Sequence, residues 1–154
     1  HSLSRRQRQM CIRDRQSIIN LFSSDKESEI GVVSVMTPII NDEELENPNN
    51  VKVFTDSTNN AIYFSRYPIP FKGNINTSKA YKHVGIYAFR KQFLMKFAEL
   101  EVGDMESSEK IEALRLIENN IKIKMIKSDE IFIGIDTEED IQKAIKFFSE
   151  KSNL

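Results

Sequence analysis

The chain has 154 residues, enough for one domain or a large part of one. It carries 22 basic and 23 acidic residues, so its formal charge is only −1. This near-neutral charge disfavours general nucleic-acid binding, which needs a basic surface, and no apolar run approaches the roughly 20 residues of a membrane span. We therefore expect a cytoplasmic protein that binds neither nucleic acid nor membrane.

The first fifteen residues differ from the rest in composition. Residues 1–15 hold five arginines and no lysine, whereas the remainder holds three arginines and many lysines. The stretch resembles read-through translation of a sequencing adapter; a basic nucleic-acid arm and a transit peptide are the alternatives. We expect it to be non-native and disordered, and residues 16–154 to be the protein proper, with a formal charge of −5 from 17 basic and 22 acidic residues. Cys11 is the only cysteine, so the remainder has no disulfide, which fits a reducing compartment.

The first half of the body reads as a helix end followed by strands. Residues 16–23 place apolar side chains near one helical face, and residues 30–36 form the β-branched run expected of a strand buried on both faces. A polar loop is expected at 41–50. Residues 51–56 and 60–66 alternate on either side of a short turn, which predicts a hairpin.

A strand predicted at 81–89 follows a long irregular connection and carries polar groups beside aromatic ones. With a period of two, one face of this strand presents Tyr81, His83, Gly85, Tyr87 and Phe89. His83 and Tyr87 are four residues apart, or roughly 13 Å at ~3.3 Å per residue. At that distance they could contact opposite ends of one extended sugar but could not form a tight pair.

Helices and strands alternate in the second half. Helices are predicted from about Lys91 and over residues 107–118. Residues 121–127 alternate as a half-exposed strand, residues 131–135 form a short buried strand, and Asp136 begins a last helix. This order predicts an α/β fold with a mixed, partly parallel sheet into which antiparallel strands are inserted.

Two polar residues near these strands are candidates for ligand binding. Arg66 ends its strand as either a surface arginine or a bidentate partner for a carboxylate. His83 is the only histidine outside the first fifteen residues, and is either a hydrogen-bonded core residue or a ligand contact. The sequence has no metal-ligand cluster, no Ser-His-Asp ordering and no glycine-rich phosphate loop, so no residue is assigned as catalytic.

Two carboxylates have competing interpretations. Glu112 lies on the second predicted helix, where a solvated glutamate is the default. Asp136 follows a buried strand and precedes a helix, so it is either an N-cap with Glu139 at the third helical position or a ligand for Mg²⁺ beside substrate phosphates. The second reading rests on its place at the carboxyl end of a strand, where open α/β sheets bind ligands.

Four motifs occur in a fixed order along the chain: NPNNVKVFTD at 47–56, YFSR-x-P-I-P from Tyr63, H-x-G-I-Y-x-[FY]-R from His83, and G-[IV]-D-T-x-E-D-[IL] from Gly134. Each motif alone is weak, but the ordered set resembles the 3-deoxy-manno-octulosonate (Kdo) cytidylyltransferases, or CMP-Kdo synthetases. The resemblance runs from about Gln16 to Glu150.

The resemblance implies a three-layer α/β/α nucleotidyltransferase fold, present here in part, and a protein that is usually a homodimer. The implied reaction couples CTP to the anomeric hydroxyl of Kdo, giving CMP-Kdo and pyrophosphate for lipopolysaccharide synthesis. By the same resemblance, Arg66, His83, Tyr87 and Glu112 contact the acid sugar, and Asp136 holds Mg²⁺.

Two departures from the family pattern leave alternatives open. The amino-terminal half of the family is missing, so we expect this carboxy-terminal part to be inactive alone. Ala113 stands where many members have glutamine, which leaves a sialic or pseudaminic acid as the alternative sugar. A non-catalytic binding or dimerisation module is the other alternative.

Overall fold

The computed structural model describes residues 12–70 and 80–128, together with Glu138, Ile141, Gln142 and Ile145, which are helical. The chain divides into two compact units: Cys11–Glu130, and His1–Met10 with Ile131–Leu154. The fold given below is that of the first unit. The strand predicted at 131–135 and the metal or capping role predicted for Asp136 lie outside the described residues.

The described residues of this unit form five helices and five strands. The helices are α1 (Ile12–Ser24), α2 (Asp42–Glu46), α3 (Lys91–Glu99), α4 (Asp104–Glu109) and α5 (Ala113–Glu118). The strands are β1 (Val32–Pro38), β2 (Lys52–Thr55), β3 (Ala61–Ser65), β4 (Tyr81–Phe89) and β5 (Ile123–Lys127). None of the helices in the described part of the chain is both long and apolar enough to cross a bilayer.

The strands form one mixed sheet in the order β3-β2-β4-β1-β5. β1 runs parallel to β5 and antiparallel to β4, and the other pairs are antiparallel. β1 has a neighbour on each side, and all its residues before Pro38 are buried. The continuous apolar run therefore predicted its double-sided burial correctly, because a strand inside a covered sheet has no solvent face.

The hydrophobic core lies between this sheet and the helices that follow β4. α5 contributes Ala113, Leu114 and Leu116, which pack with Val32 and Phe64 from the sheet. α3 contributes no fully buried residue, but Phe93 and Phe97 pack against the core from its edge. The helix predicted from about Lys91 is confirmed, with Phe93, Phe97 and Leu100 towards the core, whereas Leu94, which the apolar spacing also places on that face, is 48% exposed.

Two local predictions near the start of the chain need adjustment. α1 begins at Ile12, inside the segment 1–15, and its Asp14 is buried and accepts a hydrogen bond from Ser128 Oγ at 3.1 Å. The non-native origin of that segment stays a prediction. The polar loop expected at 41–50 contains α2, because the Asn41 side chain accepts from Glu44 N and caps the helix.

The single helix predicted over residues 107–118 is wrong, since the structure has α4 and α5 in its place. Lys110 ends α4 in the left-handed conformation, with φ of 57°. This conformation interrupts the helix, and a separate α5 then begins after Glu112. Glu112 consequently lies at the start of a helix rather than in the middle of one.

Candidate functional site

β1 and β4 pair irregularly in the middle of the sheet. Ser34 pairs with Tyr87 and Met36 with His83, so a step of two residues on β1 opposes a step of four on β4. The extra residues form a bulge that contains Gly85, whose positive φ of 73° suits glycine. The bulge shortens the path along β4 between His83 and Tyr87.

The bulge overturns the expected separation of these two side chains. The ring centroids of His83 and Tyr87 are 5.2 Å apart, with an interplanar angle of 56°. The expectation of roughly 13 Å assumed a regular strand, and the two extra residues remove that regularity. His83 and Tyr87 therefore form one contiguous surface, on which a single ligand group can meet both rings.

His83 is held on several sides. Its ring lies 4.9 Å from that of Phe64, and its main-chain N–H donates to Val51 O at 2.7 Å. Its Nε2 lies 2.8 Å from Ser34 Oγ, and the hydrogen of that hydroxyl is donated to Ile86 O in the bulge at 2.6 Å. The imidazole is thus half-buried and oriented by the sheet.

Ser34 is a site residue that the sequence analysis missed. It is fully buried, at 0% exposure, on the central strand. The available signal was a single hydroxyl within the otherwise apolar run IGVVSVM, since a buried polar group needs a hydrogen-bonding partner. Its partner could not be identified without the register of β4.

A second polar cluster lies at the end of β3 and contains Ser65, Arg66 and Glu109. The Arg66 guanidinium donates to Glu109 O at 2.9 Å, Pro48 O at 3.0 Å and Lys110 O at 3.4 Å. The Glu109 carboxylate accepts from Ser65 Oγ at 3.0 Å and from the main-chain N–H of Arg66 at 2.9 Å. Arg66 therefore ties the end of β3 to the turn that precedes Glu112.

A buried lysine supports this cluster. Lys52 is at 0% exposure on β2, and its ammonium donates to Asn47 O at 3.1 Å and to Arg66 O. Burial lowers the pKa of Lys52 because water no longer solvates the charge, while Glu109 partly opposes this effect. Lys52 thus holds the main chain at Arg66, where β3 ends.

Glu112 and Arg66 are brought to the same turn, where the Arg66 side chain bonds to the carbonyls of Glu109 and Lys110 rather than to the Glu112 carboxylate. Glu112 is exposed at the start of α5 and makes no side-chain capping bond. Arg115, three residues further along α5, donates to both carboxylate oxygens of Glu106 at 2.6 and 2.7 Å. This pairing lowers the pKa of Glu106 and raises that of Arg115, so both groups are charged near neutral pH.

β3 connects the His83–Tyr87 pair to the cluster around Arg66. Phe64, whose ring contacts His83, immediately precedes Ser65 and Arg66. The fold therefore presents imidazole, phenol and guanidinium groups from neighbouring parts of one sheet. Within the described residues, no three His, Cys, Asp or Glu side chains are grouped so that they could hold a metal ion.

Known proteins provide an independent comparison. Residues 12–123 match the cytidylyltransferase family. The chain is 43% identical over 133 residues to the 3-deoxy-manno-octulosonate cytidylyltransferase of Christiangramia forsetii, covering 86% of this chain and 54% of the relative. It is 42% identical over 130 residues to the enzyme of the same description from Flavobacterium johnsoniae, covering 84% and 53%.

A solved structure extends the comparison to the fold. The structure of CMP:2-keto-3-deoxy-manno-octonic acid synthetase complexed with CTP superposes with a TM-score of 0.77 and 30% sequence identity. The overlap covers 90% of this chain and 56% of that one, and the chain spans about half the length of the curated relatives it matches. The α/β nucleotidyltransferase fold expected from the sequence is confirmed. The chain belongs to the cytidylyltransferase family.

Proposed function

We propose that a full-length protein containing this segment couples CTP to Kdo, releasing pyrophosphate and forming CMP-Kdo. Two similarities carry the proposal. The chain is 43% identical to the Kdo cytidylyltransferase of C. forsetii, and it superposes on a synthetase complexed with CTP. Its product would serve lipopolysaccharide synthesis, as the motif resemblance implies.

The sugar-binding part of this proposal rests on Arg66, His83, Tyr87 and Glu112. A guanidinium has five N–H donors, and main-chain carbonyls accept three hydrogen bonds from Arg66. Its remaining donors and its fixed positive charge suit the carboxylate of an acid sugar. The adjoining rings of His83 and Tyr87 supply polar and apolar contacts for a hydroxyl-rich ring.

The chemistry is an in-line displacement at phosphorus. The anomeric hydroxyl of the sugar gives up its proton to solvent as its oxygen bonds to the α-phosphorus of CTP, the bond from that phosphorus to the bridging oxygen breaks, and pyrophosphate leaves. The residues of this chain would contribute by holding the sugar so that its oxygen faces the phosphorus, which accelerates the reaction by removing orientational freedom. Bound Mg²⁺, held by Asp136, would neutralise phosphate charge.

We further propose that the full-length protein is a homodimer in the cytoplasm. Leu94 and Met95 on α3 are 48% and 55% exposed, and Val102 beyond the helix is 58% exposed, which gives the protein apolar surface for a partner copy. Sedimentation equilibrium of the full-length protein would measure the mass, and a monomer at micromolar concentration would contradict the dimer.

Pyrophosphate release tests the reaction directly. The full-length enzyme is either the natural protein or a chimera in which the C. forsetii relative supplies the remaining part. We expect release only with CTP and Kdo together, and little release with UTP, a sialic acid or pseudaminic acid. Preference for another acid sugar would overturn the substrate, whereas release with none of them would favour a non-catalytic module.

A further inference from the structure

The hydrogen bonds of the Ser34 hydroxyl indicate which ring nitrogen of His83 carries a proton. Ser34 Oγ lies 2.6 Å from Ile86 O and 2.8 Å from His83 Nε2. A carbonyl oxygen only accepts hydrogen bonds, and a serine hydroxyl has one hydrogen to donate. That hydrogen is used by Ile86 O, so Ser34 Oγ must accept from His83, and His83 Nε2 must carry a proton.

The surrounding structure makes this arrangement rigid. Ser34 is fully buried on the central strand, which pairs with neighbours on both sides. The ring of His83 packs against those of Phe64 at 4.9 Å and Tyr87 at 5.2 Å, and a flip about its Cβ–Cγ bond would put a carbon in place of Nε2 beside Ser34 Oγ. The same serine hydroxyl anchors the bulge through Ile86 O, and the bulge is what brings Tyr87 to His83.

We propose that Ser34 is a positioning residue for binding of the acid sugar, an inference that rests on the proposed function. It fixes His83 as the Nε2-protonated imidazole and holds the bulge that sets Tyr87 beside it. An imidazole with a fixed proton offers one hydrogen-bonding pattern to a hydroxyl-rich ligand, so the sugar does not have to select a tautomer on binding.

Nuclear magnetic resonance tests the tautomer without any substrate. The full-length enzyme is labelled with ¹⁵N-histidine, and the His83→Gln variant identifies the His83 signals by their loss. Long-range ¹H–¹⁵N spectra at a pH where the ring is neutral distinguish a protonated from an unprotonated ring nitrogen. We expect the Nε2-protonated form in the parent and in Ser34→Thr, which retains the hydroxyl, and a mixture of tautomers in Ser34→Ala.

Steady-state kinetics then test the consequence for the sugar. Loss of one oriented hydrogen bond should raise the KM for Kdo about three- to tenfold in Ser34→Ala, with the KM for CTP unchanged. Ser34→Thr should restore the parental KM. If Ser34→Ala does not fold, Ser34→Cys replaces it, because a thiol has nearly the same shape and is a much weaker donor.

The tautomer and the KM for Kdo test different parts of the proposal. An Nδ1-protonated ring in the parent, or the same tautomer in Ser34→Ala as in the parent, would overturn the positioning role. A tautomer change in Ser34→Ala with an unchanged KM for Kdo would overturn the link to sugar binding. Failure of the proposed function would show separately, as absence of Kdo-dependent pyrophosphate release in the parent enzyme.

Discussion

Two hydrogen bonds join Arg66 and Glu109, and each runs between the main chain of one residue and the side chain of the other. The Arg66 main-chain N–H donates to Glu109 Oε2 at 2.9 Å, and the Arg66 Nε–H donates to the Glu109 main-chain oxygen, also at 2.9 Å. These two hydrogen bonds fix the end of β3 to the end of α4. Arg66 is therefore part of the scaffold around Glu112 as well as a proposed sugar contact.

Substitution of Arg66 should have two separable effects. Arg66→Ala leaves carbonyl oxygens of Glu109 and Lys110 without their donor, and we expect the free energy of unfolding to fall by about 1–3 kcal/mol. In the full-length enzyme the KM for Kdo should rise much more than the KM for CTP. Urea unfolding and steady-state kinetics measure the two effects.

Glu109→Gln is the matched control for Arg66. It weakens the same junction by removing the carboxylate charge but keeps the guanidinium. We expect a comparable loss of stability with a smaller change in the KM for Kdo. Equal effects of Arg66→Ala on both substrates would mean that Arg66 is structural only.

His83 and Tyr87 should be energetically coupled because their rings are in contact at 5.2 Å. Aromatic pairs of this kind contribute about 0.5–1.5 kcal/mol beyond area burial. The double variant His83→Ala with Tyr87→Ala should therefore lose less stability than the two single losses together, by that amount. A control cycle of His83→Ala with the exposed Ile40→Ala should be additive. Additivity in the first cycle would show that the ring contact is energetically unimportant.

Lys52 should be a large contributor to stability, with a distinctive pH dependence. Lys52→Met removes the donor to Asn47 O and Arg66 O, so we expect a loss of about 1–3 kcal/mol at pH 7. Burial lowers the pKa of Lys52 in the folded state, so the unfolded chain binds the proton more tightly. The advantage of the parent over Lys52→Met should therefore grow as the pH rises from the folded pKa towards 10.5, the ordinary value.

Lys82→Met provides the comparison for Lys52. Lys82 pairs with Glu44 at 2.5 Å, and the two side chains keep 11% and 22% exposure. The pair is mostly buried, so removing the ammonium leaves the Glu44 carboxylate without this donor, and we expect a loss of about 1–3 kcal/mol. Urea midpoints between pH 7 and 10 measure both variants, and a pH-independent difference for Lys52→Met would contradict the burial effect.

Asp56 should make the β2–β3 hairpin sensitive to acid. Its carboxylate accepts from the main-chain N–H groups of Asn60 and Thr58, and from both of their side chains, and the Asn60 main-chain bond is the largest cause of a pKa lowered from 3.8 to about 2. The stabilisation is present above pH 3.8 and is lost as the pH falls towards 2. Asp56→Asn should thus be less stable than the parent at pH 7, with the difference shrinking in that window.

Chemical unfolding at several pH values measures the effect of Asp56. Glu101→Gln, at an exposed position outside the helices and strands, is the control and should show no such convergence. A stability difference between Asp56→Asn and the parent that stays constant down to pH 2.5 would contradict the role of the charged carboxylate.

Asp136→Asn separates a helix cap from a metal ligand. Asparagine keeps a good capping side chain but removes the negative charge, and loss of a cap costs only about 1 kcal/mol. We expect the full-length variant to fold normally and to lose most turnover at ordinary Mg²⁺ concentrations. A Mg²⁺ titration of activity and a thermal melt measure this, and near-normal turnover would make Asp136 a cap.

The sequence by itself determined the elements whose signal is local. The apolar run at 30–36 is enough to predict a doubly buried β1, because side-chain polarity alone reports which faces avoid water. Alternation on either side of a short turn likewise predicted the β2–β3 hairpin. Ordered motifs also led to the correct family, since they preserve residue identity as well as polarity.

Tertiary structure decided the arrangements that depend on register and on distant partners. The bulge at Gly85 exists only relative to β1, so no periodicity within 81–89 could place Tyr87 against His83. Lys110 interrupts a helical pattern that reads as continuous, and Arg66, 44 residues earlier in the chain, holds the carbonyls at that break. Ser34 looks like one hydroxyl in an apolar strand until β4 supplies its partners. Local polarity fixes which face a residue occupies, whereas long-range pairing fixes which residue it meets.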